Sequence, residues 1–90
     1  MKLFRWNTSK DRQLEAERGI TFDRVVKAIQ SGEVLDVIEH PNQTKYPSQK
    51  IFIIALDDYI YLVPFVENEQ EIFLKTIIPS RKMKKRYLED

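Results

Sequence analysis

Residues 51–78 decide the fold: IFIIALDDYIYLVPFVENEQEIFLKTII. Three apolar runs, Ile51 to Leu56, Tyr59 to Val66 and Glu71 to Ile78, are rich in the β-branched and aromatic residues that suit a pleated surface. Polar breaks at Asp57, Asp58 and at Glu67 to Gln70 separate them, the pattern of an antiparallel meander. A two-residue Asp57, Asp58 turn sets Leu56 opposite Tyr59 and fixes the register. Alternation then places Phe52, Ile54, Tyr59, Tyr61, Val63, Phe65 and Leu74 on one face. It places Ile51, Ile53, Ile60, Leu62, Phe73, Lys75 and Ile77 on the other. Pro64 interrupts the middle run. Proline cannot donate to a ladder, so a bulge or the end of pairing on one side is expected there.

Both faces are too apolar for a sheet with one side in water. Beyond the meander the chain continues through Pro79 into SRKMKKRYLED, residues 80–90, which reads as a short basic helix. The Ser80 hydroxyl suits its N-cap, accepting from a first-turn N–H. Met83 and Tyr87 share one face, and Arg81, Lys82, Lys84, Lys85 and Arg86 cover the rest. The charge order opposes the helix dipole: Arg81 and Lys82 lie at the positive end, Glu89 and Asp90 follow the negative end, each costing roughly 0.3 to 1 kcal/mol. An anion held by the first-turn N–H groups, Ser80 and the two cations accounts for that order, and phosphate is the commonest such anion. A solvated terminal helix whose lysines keep the chain soluble accounts for it as well.

Upstream of the meander, Lys2 to Trp6 reads as a short first strand or an extended arm. A helix begins near Asn7, Thr8 or Ser9 and runs to Arg18, where Gly19 supplies a left-handed stop. Only Leu14 and Ala16 are buriable on it, so pairs such as Asp11 with Arg12 or Arg18 are expected to help hold it. Thr21 caps a second helix, Phe22 to about Ser31, whose Phe22, Val25, Val26 and Ile29 form a core-facing stripe ending at Gly32. Glu33 to Glu39 reads as a strand apolar on both faces. A polar loop from His40 to Lys50 follows, and loops of that length in small domains often carry function. Helices can cover one face of the sheet fully, so the terminal helix or a protein partner is expected on the other.

Ninety residues with no cysteine suit one domain without disulfides or a thiolate metal site. The net charge of +1 conceals a partition: residues 1–70 carry nine Lys/Arg against eleven Asp/Glu, and residues 71–90 carry six against three. The basic character is local, a modest pointer to nucleic acid. No apolar run approaches the roughly 20 residues of a membrane span, and no secretory leader is evident, so a soluble cytoplasmic protein with no membrane association is expected.

Trp6, Asn7 and Lys10 opening a helix, Arg18, Gly19, Ile20, Thr21 and Phe22 between two helices, and Ile77 to Lys82 leading to Arg86 and Tyr87 together resemble the BrnT family of type II toxin–antitoxin toxins. The resemblance spans nearly the whole chain. It implies an α+β, RelE-like domain over residues 1–90: an antiparallel sheet of about four strands, two N-terminal helices and a short basic C-terminal helix. It also implies a ribonuclease that cleaves mRNA, free or ribosome-bound, and halts translation. A cognate BrnA-like antitoxin would carry the DNA-binding element, with no direct DNA binding by the toxin itself. Where the family commonly has lysine and histidine before the glycine, this chain has Glu17 and Arg18, so a role for an imidazole there does not carry over.

Cleavage by attack of a 2′-OH on its own phosphate needs a proton acceptor, cations for the pentavalent phosphorane and an acid for the leaving 5′-oxygen; no metal or other cofactor is expected. Arg81 and Lys75 are the electrostatic candidates, with Arg18 a further basic group that cannot act as a general base near neutral pH. Tyr87 or His40 is the candidate for proton transfer, although Tyr87 is equally a docking residue beside Met83 and His40 a turn residue before proline. Ser80, Lys82, Lys84, Lys85, Arg86 and Lys45 are candidates for RNA phosphates, and Tyr46 for a stacked base. The competing expectation is a catalytically silent module that binds RNA or an antitoxin.

Overall fold

In the computed structural model, which describes residues 2–88, the chain is an α+β domain. Its elements run β1 (Leu3–Arg5), α1 (Thr8–Arg18), α2 (Phe22–Gln30), β2 (Val34–Glu39), β3 (Lys50–Leu56), β4 (Tyr59–Glu67), β5 (Glu71–Leu74), β6 (Ile78–Pro79) and α3 (Arg81–Leu88). The strands form one sheet in the order β1-β5-β4-β3-β2, with β6 pairing β4 beyond the end of β5. The sheet is mixed, whereas the sequence pointed to about four antiparallel strands. β1 lies parallel to β5, Phe4 beside Ile72, and the expected third meander strand is divided in two.

That division has a local cause. Phe65 pairs with Leu74, but Leu62 pairs with Ile78, so the ladder slips by one residue across Lys75, Thr76 and Ile77. Opposite the slip stands Pro64, whose carbonyl accepts from the Lys75 N–H at 2.8 Å. A proline without an N–H cannot hold a regular ladder, and one extra residue on the facing strand absorbs the defect. A one-residue slip turns side chains over. Ile77, expected on the face with Ile60 and Leu62, is instead fully buried in the core under the helices, and Ile78 is 41% exposed.

The rest of the meander follows the alternation. Leu56 pairs with Tyr59. Asp57 and Asp58 have φ of 54° and 60°, both left-handed, as a two-residue hairpin turn of the primed kind requires. Phe52, Ile54, Val63, Phe65 and Leu74 form the core face, joined by Leu14, Ile20, Phe22, Val25 and Ala28 from the helical layer. The Trp6 ring stacks on Phe22 with centroids 5.8 Å apart, fastening the exit of β1 to α2.

The two helices make a hairpin fixed by hydrogen bonds at its corner. Asn7 caps α1, accepting from the Lys10 N–H, and Gly19 closes it with φ 67°. Thr21 caps α2. Asp11 does not pair with Arg12 or Arg18; its Oδ1 accepts from the Phe22 N–H at 2.8 Å and so holds the start of α2. Leu14 is the buried residue of α1, and Ala16 is exposed.

On the face turned away from α1 and α2, Ile51, Ile53 and Ile60 are buried. Helix α3 packs against β4 with Met83 and Tyr87 half-buried. The strand expected over Glu33 to Glu39 forms as β2, and it lies at the edge of the sheet. Its register with β3 shifts between Val34 and Asp36, and Leu35 and Val37 are 41% and 45% exposed. Among the described residues no helix is long and apolar enough to cross a membrane.

Candidate nucleic-acid interface

The cationic end of the molecule is built from the broken strand and α3. The Ser80 N–H donates to the Ile60 carbonyl, so the segment entering α3 stays locked to the start of β4. Ser80 Oγ then accepts from the Met83 N–H at 3.2 Å, the N-cap expected from the sequence. From that cap Arg81, Lys82, Lys85 and Arg86 project as exposed cations. Lys84 is half-buried, with Nζ 5.2 Å from the centre of the Tyr59 ring. None of these five is ion-paired among the described residues. Glu89 and Asp90, whose charges the sequence set against the helix dipole, lie outside the described residues.

Lys75 sits in the bulge one strand segment before the helix. Its ammonium is exposed and 5.6 Å from the Phe73 ring centre. Arg18 reaches the same bulge from α1, Nη1 donating to the Ile77 carbonyl at 2.9 Å. The backbone from Lys75 to Ser80 therefore runs along β4, bonded to Pro64 and Ile60, with Arg18 attached to it at Ile77. The structure uses Arg18 to hold the bulge, a duty that the sequence did not signal.

His40, Lys45 and Tyr46 belong to a different place. The loop 40–49 folds on itself: Asn42 Oδ1 accepts from the Lys45 N–H, and the Gln43 amide donates to the carbonyls of His40 and Gln49. The His40 ring packs on Tyr46 with centroids 4.4 Å apart, and its Nδ1 accepts from the Asn42 N–H at 3.0 Å. This loop adjoins Lys50, which pairs with Phe65, whereas α3 departs beside Ile60. Five residues of strand, roughly 16 Å at about 3.3 Å each, separate those two points along β4. His40 is not brought to Arg81 or Tyr87.

Comparison of the chain with protein-family models, with curated proteins and with solved structures gave no match.

An open cleft of about 560 Å³ lies between α2, the Asp57, Asp58 turn and Leu88. Arg24 pairs with Asp57 at its wall, and none of the candidate site residues lines it. The functional candidates that sequence reasoning passed over are Tyr59 and Tyr61, assigned there only to the core face. Their rings lie 5.7 Å apart beside Lys84, both half-buried. The signal was present as two aromatics at i and i+2 on one strand. Their nearness to the basic helix depends on the β4–β6 pairing, Tyr61 with Pro79, which has no local signature.

Proposed function

We propose that this chain is the toxin of a type II toxin–antitoxin pair, a metal-independent ribonuclease with a RelE-like fold that cleaves mRNA and is silenced by a BrnA-like antitoxin. The observation that carries the reading is the set of cations Arg81, Lys82, Lys85 and Arg86 on a helix capped by Ser80, with Lys75 in the bulge before it, all unpaired among the described residues. A surface of that kind suits a phosphodiester. The order of a strand, two helices, a meander and a basic helix is compatible with the resemblance.

In this mechanism Arg81 and Lys75 stabilise the charge that builds on the phosphorane oxygens after the 2′-OH attacks, and Tyr87 on α3 exchanges protons with the attacking or leaving oxygen. Arg18 acts on the site through the bulge. Induced expression in a bacterium, with and without the product of the adjacent gene, tests the reading. Growth arrest relieved by the second product is expected; unimpaired growth and translation would overturn it.

A second reading is favoured by two observations: the chain's single histidine is held in the 40–49 loop, and Arg18 is engaged by a carbonyl. The cationic end then has no imidazole to move a proton, as befits a silent module that binds RNA or an antitoxin. RNA bound without being cut would select it.

A further inference from the structure

We propose that Tyr59 and Tyr61 form a base-binding subsite for single-stranded RNA, with Lys84 as the cation at its border. The inference rests on the RNA-directed reading above and adds to it the part of the surface that takes bases rather than phosphates. On β4 the two residues are separated by one position, so their side chains leave the same face. The rings are 5.7 Å apart and inclined by 52°, and each is half-buried, with its remaining surface open to solvent. They stand where β4 meets the entry to α3: Tyr61 pairs with Pro79, and Ile60 between them binds the Ser80 N–H.

Three features make this a stacking platform rather than the edge of a core. Tyr59 lies outside the buried cluster beneath the helices, and Tyr61, packed against that cluster on one side, is only half-buried. The Lys84 ammonium lies over the Tyr59 ring, 5.2 Å from its centre, and would supply the cation for a phosphate beside a stacked base. Arg81 and Lys82 follow Ser80, whose N–H is bonded to Ile60 between the two tyrosines, so cations for an RNA backbone begin beside the rings that would take its bases. Aromatic rings bind every base through its π-face, which suits single strands of mixed sequence, whereas the bases of a duplex are already stacked.

The test is titration of the full chain with a fluorescently labelled single-stranded oligoribonucleotide and with the same oligonucleotide made abasic. Tighter binding of the intact probe by about 10-fold or more is expected, because stacking on an aromatic side chain is worth roughly 1 to 3 kcal/mol per base. Tyr59→Leu and Tyr61→Leu are expected to abolish that preference while Tyr59→Phe, which keeps the ring, retains it. The abasic comparison uses the unaltered protein and stands even if a leucine variant unfolds. Equal affinity for the two probes, with salt-sensitive binding kept, would overturn the subsite and leave the cationic surface standing. Absence of RNA binding altogether would overturn both. A base preference without any cleavage would uphold the subsite and reject the ribonuclease.

Discussion

Arg18, in the last turn of α1, donates from Nη1 to the carbonyl oxygen of Ile77 at 2.9 Å, across 59 residues of sequence. That carbonyl lies in the stretch where pairing to β4 is interrupted, so a charged donor from the helical layer supports the irregular backbone. Replacing Arg18 with alanine is expected to lower stability by about 1 to 2 kcal/mol, with lysine restoring part of it. Urea denaturation measures this. An Arg18 that served only as an exposed cation would leave both variants within about 0.5 kcal/mol of the parent.

The bulge reverses two adjacent isoleucines, and mutagenesis reads the reversal directly. Ile77→Ala removes a fully buried side chain and is expected to cost about 2 to 5 kcal/mol. Ile78→Ala, at a residue 41% exposed, is expected to cost less than about 1 kcal/mol. An unbroken strand in the register of β5 would give the opposite order.

Asp58 has a left-handed backbone that glycine adopts without strain. Asp58→Gly is expected to raise stability by about 0.5 to 1 kcal/mol, or a midpoint rise of about 2 to 8 °C for a domain of this size. Asp57→Gly relieves similar strain but loses the ion pair to Arg24, so its gain is expected to be smaller. Thermal melting of the two variants side by side checks the ranking.

Much of this geometry was legible in the sequence because its causes are local. Asp57 and Asp58 between alternating runs name a turn, Gly19 names a helix stop, and Ser80 names a cap. The misplaced features have causes distributed along the chain. Pro64 announces a defect, but which facing residue is extra depends on β6 finding Leu62. The parallel pairing of β1 involves three residues joined to β5 across the whole fold. Leu35 and Val37 made the strand legible but not its place at the edge, since apolar composition does not distinguish a central strand from an edge. In the candidate site, the cations and the Ser80 cap were readable. The clamp by Arg18 and the nearness of Tyr59 and Tyr61 to Lys84 were not, because each joins residues far apart in sequence.

Glu67 provides a pH signature at the far end of the sheet. Its carboxyl is held below the usual carboxylate range, chiefly by the hydrogen bond from Lys2 Nζ at 2.7 Å, against an opposing effect of burial, with the Lys2 charge and Lys50 adding to the lowering. A depressed folded value means that the stabilisation is complete above the ordinary glutamate pKa of about 4.3 and is lost as pH falls through the folded value. Glu67→Gln and Lys2→Ala are each expected to flatten the fall in urea midpoint on acidification below about pH 4.5. An unchanged acid limb in both variants would contradict the pairing.

The central claim is that the edge carrying Lys75 and Arg81 cleaves RNA. Its most direct measurement is incubation of the purified chain with an end-labelled mRNA in the presence of a chelator, with products mapped by primer extension and Arg81→Ala and Lys75→Ala run in parallel. The account predicts discrete cuts that leave 2′,3′-cyclic phosphate ends, undiminished by the chelator and slowed about 100-fold or more by each substitution. Intact RNA with the parent chain, or cutting at the parental rate by both variants, would contradict it.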